Sequence, residues 1–128
     1  MPARYLPTLA CFNALLALTV GTFAAHGIRD PQARQWIMTG VLFQLPHVAA
    51  VFALLAWRNT AMVRGGAWMI SAGSLIFAGD LYALALGSPR WVAALAPIGG
   101  SLMFAGWAWL TIAALAGPAL ARRLGGGD

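Results

Sequence analysis

The chain is short of charge: only 9% of its 128 residues are charged, and it contains neither lysine nor glutamate. Soluble domains carry about 25% charged residues, and a domain of this size leaves much of its surface in contact with water. Because 61% of the residues are hydrophobic, folding alone could not cover the apolar surface. These shortages exclude an ordinary soluble domain and indicate that lipid surrounds most of the side chains.

Cysteine is equally scarce. The single cysteine, Cys11, lies in an apolar run, and one thiol excludes an intrachain disulfide and a multi-cysteine metal site. The net charge of +5 comes from arginines that stand beside or between apolar runs and form no dense basic stripe. We therefore expect the positive charge to meet anionic lipid headgroups, and we expect no nucleic-acid partner.

Four apolar runs have the length of about 20 residues that crosses a hydrocarbon core of ~30 Å. The runs are continuous, whereas transmembrane strands would alternate apolar and polar residues. Short loops favour antiparallel neighbours. The sequence predicts an all-α, integral membrane four-helix up-down bundle, a single transmembrane domain over residues 1–128 with helices at about residues 6–25, 36–57, 67–86 and 91–116 and a frayed tail from Ala121.

The N-terminal run resembles a secretory signal, because an arginine precedes it and small residues follow it. It is longer than the usual apolar region of a signal, and polar Asn13 interrupts it, so we expect a retained first helix. Arginine placement then predicts the orientation. Five arginines share the side of both termini, which we place in the cytoplasm of a bacterial inner-membrane, multi-pass protein: Arg4, Arg58, Arg64, Arg122 and Arg123. Three lie on the other side: Arg29, Arg34 and Arg90.

Five polar side chains interrupt the predicted spans: Asn13, His26, Gln44, His47 and Asp80. Counting the helical rise of ~1.5 Å per residue places all of them except Asn13 in the outer half to middle of the bilayer, and Asn13 in the inner half. Polar groups in hydrocarbon usually face the bundle interior. We therefore predict a polar pocket that opens toward the first and third loops.

Prolines and glycines predict helix breaks beside this pocket. Pro46 lacks an N–H and should loosen the second helix between Gln44 and His47. Pro97, followed by Gly99 and Gly100, should bend or break the fourth helix near the outer face. Irregular backbone at membrane depth is tolerated where it lines a cavity or is covered by protein.

Each polar residue also has a purely structural interpretation. His26 could be a helix-end residue that reaches into headgroups. Gln44 and His47 could form interhelical hydrogen bonds, and Asp80 could pair with an arginine of the outer side. The residues alone leave these alternatives open.

Five short motifs occur in a characteristic order between about residues 10 and 115. They are Gly21-Thr22-Phe23-Ala24-Ala25-His26-Gly27, Thr39-Gly40-Val41-Leu42-Phe43-Gln44 followed by His47, Phe77-Ala78-Gly79-Asp80-Leu81-Tyr82, Pro97-Ile98-Gly99-Gly100 and Gly106-Trp107. The ordered set resembles the domain of unknown function 423 family of small bacterial inner-membrane proteins, which has mitochondrial relatives. The resemblance implies a four-helix membrane protein and no assigned activity.

The resemblance also bears on the candidate pocket. It gives weight to His26, Gln44, His47, Gly99 and Gly100, and it adds Tyr82 to the predicted set. The chain departs from the family pattern at Asp80, where a small hydroxyl residue is usual, and at Pro46. An acid at position 80 is then a local feature of this chain.

We expect a non-enzymatic module that binds a membrane lipid, a small molecule, or a membrane-protein partner or second copy. The alternative is a small oligomeric transporter or proton-linked channel that uses Asp80 and His47, since a histidine and a buried acid can pass protons. We expect no catalytic residues, metal or cofactor: the predicted depths of His26 and His47 differ by about 14 Å, too far for paired haem ligands, and no Gly-x-Ser-x-Gly or phosphate-binding glycine loop is present.

Overall fold

The fold is a bundle of four long helices. A computed structural model describes residues 3–117 and 123, and every regular element in that part of the chain is helical. The helices are α1 (Tyr5–Gly27), α2 (Pro31–Trp57), α3 (Ala61–Ala85) and α4 (Leu95–Leu115), with a 3₁₀ turn at Arg90–Ala94 before α4. Each is long and apolar enough to cross a membrane. The all-α four-helix prediction is confirmed, while most of the predicted frayed tail lies outside the described residues.

Two helices begin earlier than hydropathy predicts. α2 begins at Pro31 because Asp30 caps it: the carboxylate accepts hydrogen bonds from the backbone N–H groups of Gln32 and Ala33, at 3.2 and 3.3 Å. α3 begins at Ala61 because the Thr60 hydroxyl accepts from the Val63 N–H at 3.3 Å. Capping side chains set these starts, and the capped first turns lie outside the apolar runs on which the prediction depended.

The helix breaks predicted at Pro46 and at Pro97 with Gly99 and Gly100 are not found in the structure. α2 continues without interruption through Pro46, which is exposed on the outside of the bundle. The irregularity before α4 is the 3₁₀ turn, and it ends before Pro97. Pro97 lies in the first turn of α4, where its missing N–H has no intrahelical partner to lose. Gly99 and Gly100 lie within regular helix.

α3 is the central helix. It packs against α1, α2 and α4, whereas α1 and α4 make no close backbone contact with each other in the described part of the chain. Each outer helix buries one narrow stripe with spacings of three, four or seven residues, which is the pattern of helices packed along a seam. The stripes are Leu6, Ala10, Asn13, Ala17 and Ala24 in α1, Ala33, Ile37, Gly40, Gln44 and Val51 in α2, and Gly99, Met103, Gly106, Leu110 and Ala113 in α4.

Two arginines tie helix ends together. The Arg34 guanidinium donates to the Ala24 and Ala25 carbonyls near the end of α1, at 3.3 and 2.8 Å. The Arg58 guanidinium donates to the Ala113 carbonyl near the end of α4, at 3.1 Å. Both arginines meet carbonyls at helix C-termini, where a positive charge opposes the negative end of the helix dipole. These charges therefore serve the fold as well as any headgroup contact.

Candidate functional site: a buried polar chain and three separate polar residues

A chain of hydrogen bonds joins α1, α2 and α3 inside the bundle. The Tyr82 hydroxyl donates to Gln44 Oε1 at 2.8 Å, and Gln44 Nε2 donates to Asn13 Oδ1 at 2.5 Å. Asn13 Nδ2 then donates to the carbonyl oxygen and the hydroxyl of Ser71, at 3.3 and 3.4 Å. We call Asn13, Gln44, Ser71 and Tyr82 the polar chain. All four residues are buried, so their hydrogen bonds replace those that water would otherwise make.

The polar chain ends on the backbone of α3. At its far end, the Ser74 hydroxyl donates to the Ser71 carbonyl at 2.9 Å, so the last link returns to the α3 backbone. Among the described residues, every buried side-chain nitrogen and oxygen outside Asp80 has a hydrogen-bond partner. The polar chain therefore presents no free polar group to a ligand, and it serves as a hydrogen-bonded link between three helices.

Gly40 makes room for Tyr82 at the other end of the polar chain. A Cβ atom built on Gly40 would lie 2.6 Å from Cε1 of the Tyr82 ring, well inside van der Waals contact. The ring of Tyr82 thus lies directly on the α2 backbone one turn before Gln44. Its hydroxyl reaches Gln44 because residue 40 has no side chain.

The polar chain contains two of the predicted pocket residues and two that were not assigned to the pocket. Gln44 and Tyr82 meet as predicted. The predicted pocket does not include Asn13, which the depth estimate places in the inner half of the bilayer, but its side chain hydrogen-bonds directly to Gln44. The signal that could have placed it is its position in the stripe Leu6, Ala10, Asn13 and Ala17. Ser71 was missed altogether, because one small hydroxyl in an apolar run carries little signal.

His47 lies on the side of the bundle between α2 and α4, away from the polar chain. Its Nδ1 is 2.6 Å from the Phe43 carbonyl oxygen, and the Trp107 indole N–H donates to its Nε2 at 3.1 Å. A carbonyl only accepts and an indole N–H only donates, so the two contacts fit an imidazole that carries a proton on Nδ1 and none on Nε2. Both ring nitrogens are engaged, one within α2 and one in a hydrogen bond between α2 and α4.

Asp80 lies on a different face of α3 from Tyr82, because residues two apart on a helix point about 200° from one another. Its side chain is 3% exposed, and neither carboxylate oxygen has a hydrogen-bond partner among the described residues. The backbone N–H of Ala96, in the first turn of α4, faces the carboxylate without reaching hydrogen-bonding geometry. Arg34, one of the arginines considered as its partner, is bound to the end of α1 instead.

His26 is exposed at the end of α1 and borders a groove between α1 and α2. The groove has a volume of about 300 Å³, opens sideways from the bundle, and has a largely apolar lining: Ala17, Leu18, Gly21, Thr22, Ala25, His26, Met38 and Val41. The five residues predicted to share one pocket are therefore distributed over four places. The prediction was based on estimated depth within the outer half to middle of the bilayer, and a shared range of depth does not put side chains on the same side of the bundle.

Metal-ligating side chains do not gather in this fold. Within residues 3–117 and 123, no group of three or more His, Cys, Asp or Glu side chains could hold a metal ion. The two histidines occupy the end of α1 and the α2–α4 side, respectively.

Known proteins resemble this chain over most of its length. The model of a family described as protein of unknown function (DUF423) matches residues 20–100. The chain belongs to this family. Among its relatives, a UPF0382 membrane protein of Haemophilus influenzae is 39% identical over 114 residues, which are 84% of this chain and 90% of that protein.

Two further relatives come from other bacteria. A UPF0382 membrane protein of Staphylococcus epidermidis is 33% identical and covers 84% of this chain and 92% of its own length. The UPF0382 inner membrane protein YgdD of Escherichia coli K12 is 28% identical, with 90% and 92% covered. No solved structure matches this chain. Four membrane-length helices and these relatives identify a membrane protein of a family whose description names no activity.

Proposed function

We propose that this protein is a non-enzymatic module of the bacterial inner membrane that binds an anionic membrane lipid along the α1–α2 groove. The observation that carries the proposal is the division between inside and outside: the polar chain is satisfied internally, while the groove opens to the surrounding membrane. Small residues at Ala17 and Gly21 form its floor, which leaves space for an acyl chain.

Charge at the end of the groove supports an anionic headgroup. His26 borders the groove where α1 ends, and Arg29 is exposed in the following turn. The polypeptide on this side carries Arg29, Arg34 and Arg90 against one acid, Asp30. Basic residues near a membrane surface attract anionic lipids, so a lipid with its chain in the groove would have its phosphate near His26 and Arg29.

The test fills the groove without disturbing the core. Ala25 is exposed and lines the groove, so Ala25→Phe should displace an acyl chain and leave the fold intact. Ala105→Phe is the matched control, because Ala105 is an exposed alanine on α4, outside the groove lining. Native mass spectrometry after mild detergent extraction should find retained phosphatidylglycerol or cardiolipin with the natural chain and Ala105→Phe, and several-fold less with Ala25→Phe. Equal retention by both variants would contradict the proposal, and a retained protein in place of lipid would favour a partner-binding role.

We also propose that both termini face the cytoplasm, on the basis of the arginine distribution. The test replaces Cys11 by serine and introduces one cysteine into a turn, Asn59→Cys between α2 and α3 or Ser88→Cys between α3 and the 3₁₀ turn. A thiol reagent that does not cross membranes should label Ser88→Cys in intact spheroplasts and Asn59→Cys only after lysis. The reverse pattern would invert the topology.

A small oligomeric transporter or proton-linked channel is the second candidate, and the unpartnered Asp80 carboxyl is the observation that favours it. The engaged nitrogens of His47 argue against a relay through that ring. Purified protein in vesicles that contain a pH-sensitive dye would test it. A proton flux that Asp80→Asn and His47→Ala both abolish would establish the channel, and flux equal to that of empty vesicles would exclude it.

A further inference from the structure

Asp80 differs from the other buried polar residues, and its role is independent of lipid binding. Asp80 is 3% exposed on α3, and both of its oxygens lack a hydrogen-bond partner among the described residues. The polar chain, by contrast, is fully partnered. A buried carboxylate without a partner is among the most unfavourable groups in a protein interior, and such a group usually becomes neutral instead.

Within residues 3–117 and 123, no charged side chain pairs with a carboxylate at this position. α4 has no charged residue at all. The charged or titratable side chains on α3 itself and on the other elements around it are bound elsewhere or exposed. Arg34 binds the end of α1, His47 binds Phe43 and Trp107, Tyr82 binds Gln44, Arg64 binds Asn59, Arg58 binds Ala113, Asp30 caps α2, and His26, Arg29 and Arg90 are exposed.

The one favourable feature near the carboxyl is the start of α4. No side chain caps this helix, and the Ala96 N–H faces Asp80. Pro97 supplies no N–H, so the first turn offers few donors. A helix N-terminus attracts negative charge, but here no N–H reaches either oxygen. The start of α4 therefore orients the carboxyl without replacing the hydration of a full charge.

We infer that Asp80 is a proton-binding site, with its carboxyl held as the neutral acid against the first turn of α4 at neutral pH. The site takes a proton rather than a metal ion, because a metal would need several oxygen or nitrogen ligands and, in the described part of the chain, Asp80 belongs to no group of three or more His, Cys, Asp or Glu side chains. A neutral acid carries no net charge for its surroundings to stabilise, so the missing partners cost it less than they would cost a carboxylate.

The proton would exchange with the side of the membrane that holds the 3₁₀ turn. Asp80 lies five residues before the end of α3, about 8 Å along the helix axis. The 3₁₀ turn follows closely, and its residues Trp91, Ala93 and Ala94 are exposed. This short path makes exchange with external water feasible without a channel through the bundle.

Infrared spectroscopy of the full chain in dodecyl maltoside micelles, whose molecules contain no carbonyl group, tests the inference directly. The chain has only three acidic side chains, Asp30, Asp80 and Asp128, so the C=O stretch of a protonated carboxylic acid is assignable by substitution. At pH 7 the natural chain should show this band, Asp80→Asn should lose it, and Asp30→Asn should keep it. In D₂O the band should shift as the proton exchanges. No band, a band that Asp80→Asn retains, or a band that never shifts in D₂O would overturn the inference.

A chemical probe tests the same group without any variant. Dicyclohexylcarbodiimide reacts with protonated carboxyls in apolar surroundings: the acid O–H adds across a C=N bond, and the O-acylisourea rearranges to a stable N-acylurea, so one whole carbodiimide is added. Peptide mass spectrometry should locate this adduct at Asp80 and find none at Asp30. Modification of Asp30 without Asp80 would contradict a neutral acid in this site.

Discussion

The two interfaces of α3 hold their helices by different means. Between α3 and α4, glycines of both helices let backbone meet backbone: a Cβ atom on Gly99 of α4 would lie 2.5 Å from the Phe77 nitrogen and 2.7 Å from the Gly73 oxygen of α3. Against α1 and α2, α3 presents the hydroxyls of Ser71 and Tyr82, which join the polar chain. The α3–α4 interface is mainly a backbone contact, with one hydrogen bond across it from the Trp109 indole N–H to the Met62 carbonyl oxygen at 2.8 Å, whereas a series of hydrogen bonds joins α3 to α1 and α2.

The contrast matters because lipid removes the usual reason for helices to associate. Apolar side chains gain little by leaving hydrocarbon for one another, so close van der Waals packing and interhelical hydrogen bonds must hold the bundle together. The contacts that glycines make between α3 and α4, which we call the glycine seam, cannot adjust to a larger side chain, since the atoms that meet are backbone atoms. The polar chain can lose one hydrogen bond and retain the packing around it. Substitutions should therefore be more destabilising at the glycine seam than in the polar chain.

The largest effect is expected from Gly99→Ala. The added methyl group would overlap backbone atoms of α3 that cannot rotate away, so α3 and α4 must separate, at a cost of about 3 kcal/mol in the free energy of unfolding. The matched control is Gly100→Ala, where a Cβ atom meets nothing within 4 Å and better helix propensity should add up to about 1 kcal/mol of stability. Unfolding by sodium dodecyl sulfate in mixed micelles measures both. Equal stability of the two variants would show that the seam is not closely packed.

A smaller effect is expected from Gln44→Met, which keeps the length of the side chain and removes both of its hydrogen bonds. Asn13 and Tyr82 would each lose a partner in a buried place, at a cost of about 2 kcal/mol. A double-mutant cycle with Asn13→Leu sharpens this prediction. If the polar chain acts as a unit, the double variant should be destabilised by less than the sum of the single variants, whereas simple additivity would indicate two unrelated sites.

The same contrast explains what could be predicted from the sequence. Helix number follows from hydropathy because hydrocarbon demands long apolar runs, and all four helices are found. The starts of α2 and α3 depend on single capping residues, Asp30 and Thr60, whose signals lie outside those runs. The role of Gly99 was mistaken because a glycine beside a proline can indicate a break or a close contact, and only the facing helix decides which.

The site was predicted less well, since helical counting estimates the depth of a side chain in the membrane but not the side of the bundle that it faces. Gln44 and Tyr82 meet. His26 lies instead at the end of α1, His47 on the side between α2 and α4, and Asp80 on a different face of α3 from Tyr82. The angle between Asp80 and Tyr82 was available from helix geometry, because two residues of separation turn a side chain to the far side. The facing partner of each residue was not available, because it depends on how the helices pack.

The smallest effect, and the most specific test of the polar chain, is expected from Tyr82→Phe. The ring stays packed on Gly40 and only the hydroxyl is lost, so the variant removes one hydrogen bond to Gln44 and should cost about 1 kcal/mol. Tyr5→Phe is the control, because Tyr5 is 44% exposed at the start of α1 and its hydroxyl should contribute nothing measurable. In the Gln44→Met background, Tyr82→Phe should cost nothing further, or even restore stability, since the phenol has already lost its acceptor. A full cost of Tyr82→Phe in both backgrounds would mean that the hydroxyl acts through some other group, and the polar chain would then end at Gln44.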